Sequence, residues 1–310
     1  MLLSSVLLSA ARCDGLRDIV SGAPLSRGVG TRFIAGQRVD EALLTAHQLA
    51  GDGLKSSIDR LGEDTVERSQ ADATRNEYVR LLDMIAQGGL ARSAEVSLKL
   101  SAVGQSIPNS GERMALDNAR TICAAARRAG TTVTLDMEDH TTTDSTLSIL
   151  SELRSDFPET GAVLQASLLR TEGDCRDLAY IGSRVRLCKG AYREPASVAR
   201  RRTGEIRAAY MRCLAILLAG GAYPMIASHD PVIVDAALQC TTGPDGSHAP
   251  HEFQMLFGVR PLEQARLVSV DRTVRVYLPY GDEWWGYMVR RMAEKPSNFG
   301  LFLRALRSTT

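Results

Sequence analysis

The sequence predicts an α/β protein built on a closed (β/α)8 barrel of the TIM type, with extra helices at the N-terminus. From Leu54 onward, eight short apolar segments alternate with eight longer helical patterns. No hairpin signal joins consecutive strand candidates, so the strands are predicted to run parallel. The 310 residues suffice for eight such units. A doubly wound open sheet is the competing fold, but neither a G-x-G-x-x-G segment after the first strand nor a P-loop is present.

The predicted strands are short and rich in apolar or β-branched residues. They are Leu54–Asp59, Glu95–Leu100, Thr131–Asp136, Ala162–Ser167, Arg184–Cys188, Met225–Ser228, Glu252–Phe257 and Val274–Leu278. A helical pattern follows each strand, and Gly or Pro marks several of the helix ends. The helices are Asp64–Gln87, Ser110–Ala129, Asp144–Ser155, Gly173–Ile181, Gly204–Ala219, Pro231–Gln239, Pro261–Val268 and a last one that carries Arg290.

The chain is predicted to divide into residues 1–53, an N-terminal helical segment that packs on the barrel, and residues 54–310, the barrel itself. The apolar run Met1–Ala11 resembles a signal sequence but lacks a basic region before it, so we expect a packed helix. A short strand over Thr31–Ala35 and a helix over Asp40–Gly51 are expected to follow.

Composition and charge exclude several functional classes. The chain is 44% hydrophobic and 24% charged, which is ordinary for a globular protein, and its net charge of +1 argues against a nucleic-acid partner. An apolar run of about 18 residues, the length needed to span a membrane, is absent, so membrane contact is expected to be peripheral. The six cysteines form neither a C-x-x-C pair nor a metal-ligand spacing, which favours reduced thiols and a cytoplasmic location.

Polar residues lie at or just beyond the ends of the predicted strands, where barrel enzymes carry their chemistry. An unpaired buried charge is costly, so charges at these positions predict a site. The residues are Asp59, Glu63, Lys99, Asp136, Gln165, Arg186, Lys189, His229, Gln254 and Tyr277. With Arg290 and Arg291 of the last helix counted, cations outnumber carboxylates. A carboxylate at metal-ligand spacing does not accompany His229. The ring therefore predicts an anionic cofactor with a reducible ring and a small carboxylate substrate, without a metal.

The segment Tyr277–Glu294 carries a pair of arginines, Arg290 and Arg291, one helical turn after Tyr287. An isolated Arg-Arg pair is more often a solvated helix face. Its position directly after the eighth strand favours a binding role, because the planar guanidinium binds carboxylates through two parallel hydrogen bonds.

Four segments resemble the proline dehydrogenase family, flavoenzymes of proline catabolism, and the resemblance extends over about Leu54–Asn298. They are Ser97–Ser101, Arg184–Tyr192 with its Arg-Leu-x-Lys-Gly-Ala-Tyr motif, Glu252–Leu256, and Tyr277–Asn298 with Tyr-x-x-Arg-Arg. One departure is Glu294-Lys295-Pro296, where the family usually has Glu-Asn.

The resemblance implies substrate contacts on several strands. Arg290, Arg291 and Lys99 would hold the carboxylate of L-proline. Four side chains would line its ring: Asp136, Tyr277, Tyr287 and Leu256. Glu63 would act as a gate that pairs with Arg290 when the site closes.

The resemblance also implies FAD as cofactor. Arg186 would donate to flavin N5 and Gln165 would contact the isoalloxazine ring. Further contacts or their supports would be Lys189, Gly190, Ala191, Tyr192, His229, Gln254 and Glu294. The implied reaction moves a hydride equivalent from C5 of L-proline to the flavin, giving 1-pyrroline-5-carboxylate, the first step of proline degradation to glutamate. A membrane quinone would reoxidise FAD, with the protein peripherally associated with the inner membrane.

Two other interpretations remain open from the residues. A Schiff-base aldolase-type barrel would use Lys99 or Lys189 as its reactive amine. A non-catalytic barrel would bind a small carboxylate without turnover. The acceptor of the substrate's ammonium proton, Asp136 or bulk water, is likewise open.

Overall fold

The computed structural model describes residues 33–243, 245–284 and 287. Eight parallel strands form one sheet in the order β3-β2-β1-β8-β7-β6-β5-β4. The strands are β1 Lys55–Arg60, β2 Ala94–Leu98, β3 Val133–Leu135, β4 Ala162–Gln165, β5 Arg184–Cys188, β6 Tyr223–Ala227, β7 Glu252–Leu256 and β8 Val274–Tyr280. The predicted barrel is confirmed.

The ring closes between β3 and β4 through a single bridge, Thr134 to Gly161. Gly161 donates its N–H to the carbonyl of Val133 over 2.8 Å and accepts from the N–H of Leu135 over 2.9 Å. The other neighbouring strands pair over three to six residues each. The β3–β4 seam is therefore the narrowest junction of the described barrel.

Helices separate the strands as predicted, with ends that differ by a few residues. They are α1 Val39–Gly51, α2 Arg68–Gln87, α3 Gly111–Ala129, α4 Thr143–Asp156, α5 Thr171–Leu178, α6 Thr203–Ala219, α7 Pro231–Cys240 and α8 Pro261–Ser269, with a 3₁₀ turn over Ser101–Val103. The largest difference is at α2, which begins at Arg68 rather than Asp64. Asp64 has a φ of 57°, in the left-handed region that an α-helix excludes.

The N-terminal segment differs from the prediction in one respect. Phe33, Ile34 and Ala35 do not form a strand, so the described part of the predicted strand Thr31–Ala35 is wrong. Ala35 instead donates one hydrogen bond to the carbonyl of Pro279 over 2.9 Å, and β8 continues through Pro279 to Tyr280. Helix α1 packs against β1 and β8. Met1–Ala11 and the helix with Arg290 lie outside the described residues, and the division at residue 53 stays a prediction.

Alternation along each strand separates an apolar outer layer from a polar interior. Fully buried side chains such as Ile58, Leu98 and Leu187 pack toward the helices, each stabilising the fold by roughly 1.5–3 kcal/mol. Residues one position away along the same strands, such as Asp59 and Arg186, lie inside the barrel. A second interior layer below them is also charged. It consists of Glu95, Arg184, Glu252 and Arg275. The described residues contain no helix long and apolar enough to cross a membrane.

Candidate active site

Asp136, directly after β3, receives hydrogen bonds from three side chains. Tyr277 of β8 donates its hydroxyl to Oδ2 over 2.7 Å. Arg186 of β5 donates Nη1–H to Oδ1 over 2.6 Å, and Ser97 of β2 donates its hydroxyl to the same oxygen over 2.9 Å. Side chains from four strands therefore meet at one carboxylate near the C-terminal end of the barrel.

Arg186 lies at the centre of this network, and its side chain is 5% exposed. Its Nε donates to Gln254 over 2.6 Å, and Nη1 donates to Ser97 over 2.8 Å as well as to Asp136. Nη2 donates to Ser57 over 2.9 Å and lies 3.5 Å from Oε1 of Glu95. Four of the five N–H groups of the guanidinium therefore donate a hydrogen bond, and the Glu95 carboxylate lies beside it, so the position of the charge is fixed.

Lys99, just beyond β2, forms an ion pair with Asp59 at the end of β1, with Nζ 2.7 Å from Oδ2. Burial alone would lower the pKa of Lys99, but Asp59 and Asp136 outweigh it and the pKa is raised. Lys99 is therefore a protonated ammonium, able to bind an anion. Burial raises the pKa of Asp59, whose Oδ1 has no hydrogen-bond partner among the described residues.

Tyr277 is a neutral hydroxyl donor in this site. Burial, followed by the neighbouring Asp136 and Asp59 carboxylates, raises the pKa of the phenol well above its usual value. The ring also lies against Arg186, whose Cζ is 5.3 Å from the ring centroid, within the range of a cation–π contact.

Two amide side chains predicted to contact a flavin are held in fixed orientations. Gln165 donates Nε2–H to the carbonyl of Glu138 over 2.8 Å. Gln254 donates Nε2–H to Glu252 over 2.6 Å while its Oε1 accepts from Arg186. Both are 3% exposed. Their hydrogen-bond partners therefore determine which amide atom each presents.

The segment after β5 contains a close backbone approach at Gly190. Its φ of +108° suits glycine, and a Cβ there would lie 2.2 Å from Oγ of Ser167. The neighbouring Lys189 pairs with Asp230 over 3.2 Å, and Ala191 and Tyr192 are exposed. We call this segment, Lys189–Tyr192, the Gly190 cradle, and its position 190 requires glycine.

His229, after β6, contacts the end of β7. Its Nε2 accepts the backbone N–H of Leu256 over 2.9 Å. Accepting that bond requires an unprotonated Nε2, so the neutral ring carries its proton on Nδ1.

The structure brings most of the sequence-predicted residues to one end of the barrel. Lys99, Asp136, Arg186, Gln254 and Tyr277 share one polar cluster there. Glu63 is half-buried in the β1–α2 connection, and Tyr287 is buried. Arg290, Arg291 and Glu294 lie outside the described residues. The described residues contain no cluster of His, Cys, Asp and Glu that could hold a metal ion.

Several side chains of the network were missed by the sequence analysis. Each lies two residues before a predicted site residue on the same strand: Ser57, Ser97, Arg184, Glu252 and Arg275. The period of two along a strand marks these positions, because residues i and i–2 point to the same face of a strand. Glu95, two residues before Ser97, follows the same rule.

Comparison with known proteins agrees with this geometry. The family model described as proline dehydrogenase matches residues 42–302. Proline dehydrogenase 1 of Bacillus subtilis is 34% identical over 275 residues, covering 89% of each chain. Proline dehydrogenase of Deinococcus radiodurans is 35% identical over 277 residues, again covering 89% of each chain.

Among solved structures, the barrel matches proline utilization A (PutA) from Bdellovibrio bacteriovorus inactivated by N-propargylglycine. The TM-score is 0.78 at 25% identity, and the match covers 86% of this chain and 32% of that one. The fold, the polar cluster and a family match over most of the sequence agree. This chain belongs to the proline dehydrogenase family.

Proposed function

We propose that the protein is an FAD-dependent proline dehydrogenase that oxidises L-proline to 1-pyrroline-5-carboxylate and passes the electrons to a membrane quinone. The observation that carries the proposal is the Lys99, Asp136, Arg186 and Tyr277 cluster. Lys99, Arg186 and Tyr277 belong to segments that resemble the family, and Asp136 accepts hydrogen bonds from Arg186 and Tyr277. The relatives named proline dehydrogenase, each aligned over most of its length, support the substrate.

The substrate half of the site is proposed to use fixed positive charge. Lys99 is held as an ammonium by Asp59, and Arg290 and Arg291 are assigned to the same carboxylate. Orienting the substrate ring in this way lowers the entropic barrier, an effect worth up to about 7–11 kcal/mol when the geometry is ideal. Tyr277, Tyr287, Leu256 and Asp136 would line the ring, and Glu63 would pair with Arg290 on closure.

The residues of the second half of the site, around Gly190, Gln165 and Gln254, fit a flavin. The Gly190 cradle allows close backbone approach, and Gln165 and Gln254 present fixed amides. The contacts would come from Arg186, Gln165, Lys189, Gly190, Ala191, Tyr192, His229, Gln254 and Glu294. Bound FAD would supply the acceptor for the hydride equivalent from C5 of proline. Four hydrogen bonds and the nearby Glu95 carboxylate hold Arg186 in place, so we assign to it a fixed positive charge near N5.

The substrate ammonium must lose a proton before oxidation. Oδ1 of Asp136 already accepts from Ser97 and Arg186, and Oδ2 accepts from Tyr277. Because these three donors hold the carboxylate, we assign the acceptor to water.

The first test is flavin binding and proline-dependent reduction. Purified protein supplied with FAD is expected to show the absorption of oxidised flavin, and anaerobic L-proline is expected to bleach it. Absence of a flavin spectrum after FAD addition would contradict the cofactor. Bound flavin that L-proline does not reduce would contradict the substrate. Adding a soluble quinone analogue to the reduced protein tests the acceptor, since the proposal expects rapid return of the oxidised spectrum.

The carboxylate assignment is tested separately with Arg291→Met. The KM for proline is expected to rise greatly while FAD stays bound. Arg202→Met is the matched control, because the Arg202 side chain is 86% exposed. Equal proline kinetics in both variants would remove Arg291 from the carboxylate site.

The protonation and ion pairing of Lys99 and Lys189 disfavour the Schiff-base alternative. A reactive lysine needs a neutral amine, whereas the pKa of Lys99 is raised and Lys189 is paired with Asp230. Borohydride with a carbonyl compound is expected to leave the protein unlabelled.

A further inference from the structure

Four carboxylates and four cations, all buried or largely buried, face one another in the interior of the described barrel. Its carboxylates are Asp59, Glu95, Asp136 and Glu252, and its cations are Lys99, Arg184, Arg186 and Arg275. The formal charges cancel. Because the surroundings are a buried protein interior, each charge acts over a longer distance than it would in water.

Glu95 connects the lower layer of this interior to Arg186. Its Oε2 lies 2.5 Å from Nη2 of Arg184, and its Oε1 lies 3.5 Å from Nη2 of Arg186. The hydroxyls of Ser57 and Thr134 also donate to Oε1, each over 3.1 Å. Glu95 is therefore the counter-charge directly below Arg186.

Glu95 is ionised despite being 2% exposed. Burial alone would raise the pKa of its carboxyl, but Arg184, Arg275 and Arg186 outweigh burial and hold the pKa below the ordinary value. Arg184 is its closest partner and lies two residues before Arg186 on β5, on the same face of the strand. The pair contacts the active-site network through Arg186 and through the Ser57 hydroxyl that Arg186 also binds.

We propose that Glu95 and Arg184 are positioning residues that set the reduction potential of the bound flavin by balancing the charge of Arg186. The inference rests on the proposed function, which places Arg186 beside flavin N5. Two-electron reduction adds negative charge to the flavin ring. Any net positive charge added below Arg186 stabilises the reduced form, and any net negative charge stabilises the oxidised form.

Two substitutions are expected to shift the midpoint potential of the flavin in opposite directions. Glu95→Gln removes a negative charge and leaves a net positive interior, so the midpoint potential of the flavin is expected to shift in the positive direction. Arg184→Met removes the cation nearest to Glu95 and leaves a net negative interior, so the midpoint potential is expected to shift in the negative direction. The double variant restores charge balance and is expected to return close to the wild-type potential.

The experiment uses the FAD-loaded full chain. The midpoint potential is measured by titration against redox dyes, and sulfite affinity is measured from the loss of flavin absorbance. Sulfite forms a bond from its sulfur to N5 of oxidised flavin and leaves an anionic adduct, so its affinity is expected to follow the potential. We expect tighter sulfite binding in Glu95→Gln and weaker binding in Arg184→Met, by about tenfold each, roughly what a change of 1.4 kcal/mol produces. Arg113→Met, with a side chain 75% exposed, is the control for removal of a charge at the surface.

Shifts of opposite sign, with recovery in the double variant, support the proposal. A purely structural role would lower stability in both variants while leaving the potential at the wild-type value, and that result overturns it. If Glu95→Gln does not fold, Arg184→Met and the double variant decide by the same criterion. Wild-type protein that binds no flavin would overturn the proposed function together with this inference. Normal proline oxidation with unshifted potentials would overturn the inference alone.

Discussion

The hydroxyl of Tyr277 and Oδ2 of Asp136 lie 2.7 Å apart, although the two residues are 141 positions apart in the sequence. Between their strands lie β1 and β2, so the bond spans the interior of the barrel. Together with Arg186 it fixes the Asp136 carboxylate from opposite sides.

Tyr277→Phe is expected to lower kcat/KM for L-proline. Removing the hydroxyl leaves Oδ2 of Asp136 without its donor, and an unsatisfied buried acceptor costs about 1–3 kcal/mol. That corresponds to roughly a 5- to 150-fold loss if the site bears the full cost. Steady-state kinetics on the FAD-loaded protein measure it. Tyr223→Phe is the control, because its hydroxyl bonds to Glu252 over 3.3 Å at the lower layer. An equal loss in both variants would argue against a specific role for Tyr277.

Arg275→Met is expected to lower the free energy of unfolding by roughly 3–5 kcal/mol, because it leaves Glu252 buried without its main partner. Arg275 contacts Glu252 through Nε over 2.7 Å and Nη2 over 3.1 Å. Urea denaturation measures the loss. Arg266→Met, which breaks a surface pair with Glu263, is expected to cost at most about 1 kcal/mol. Similar losses of unfolding free energy in the two variants would contradict the expectation that the buried ion pair matters more than the surface pair.

Gly190→Ala is expected to weaken FAD binding by at least about tenfold, a change of about 1.4 kcal/mol. The added Cβ would lie 2.2 Å from Oγ of Ser167 and would displace the segment after β5. Fluorescence titration of the apoprotein with FAD measures the affinity. Gly182→Ala is the matched control. It also has a positive φ, of +80°, but its Cβ would meet none of the described atoms within 4 Å. Unchanged affinity in Gly190→Ala would remove this segment from the cofactor site.

His251→Phe is expected to reduce the loss of stability on acidification. Burial lowers the pKa of His251 below its usual value, although its hydrogen bond to the carbonyl of Ala249 opposes the shift. The unfolded chain then binds a proton that the folded chain does not, so stability is present above about pH 6.5, the unfolded pKa, and falls as the pH drops below it. The pKa values of Asp59 and Glu138 are raised and contribute with the opposite sign.

Unfolding free energies measured between about pH 7 and 5 test this pH dependence, since the window lies around the unfolded histidine pKa. The variant should show a flatter profile than wild type. His47→Phe, at an exposed position on α1, is the control and should retain the wild-type slope. A His251→Phe profile parallel to that of wild type would contradict the assignment.

The fold could be predicted from the sequence because strand and helix patterns alternate without ambiguity. Strand β5, Arg184–Cys188, was predicted to the residue. Errors occurred where the backbone depends on contacts distant in sequence. The predicted end of β8 at Leu278 is two residues short, because the strand continues to pair with β1, where Pro279 lies beside Asp59. The start of α2 was misplaced because nothing in the composition marks Asp64 as left-handed.

The sequence predicts which residues lie in the candidate site but not which of them form ion pairs with one another. Strand ends identified Lys99, Asp136 and Arg186, since the geometry of a barrel brings all strand ends together. Which carboxylate neutralises which cation depends on strand order and register, and these are set by the closed sheet. Asp59 as the partner of Lys99 therefore emerged only from the structure. The charged lower layer could not be predicted from strand ends, because Glu95, Arg184, Glu252 and Arg275 lie at or near the starts of their strands.

The closure at Gly161 has a mechanical consequence. Seven junctions of the described sheet are ladders, and the eighth, between β3 and β4, is a single bridge beside a residue without a side chain. In a local fluctuation the barrel is expected to open first at this junction, because local opening begins where the fewest contacts must be broken. Asp136 follows β3 and Gln165 ends β4, so such an opening would move the two walls of the proposed site apart while every other pair of strands stays joined.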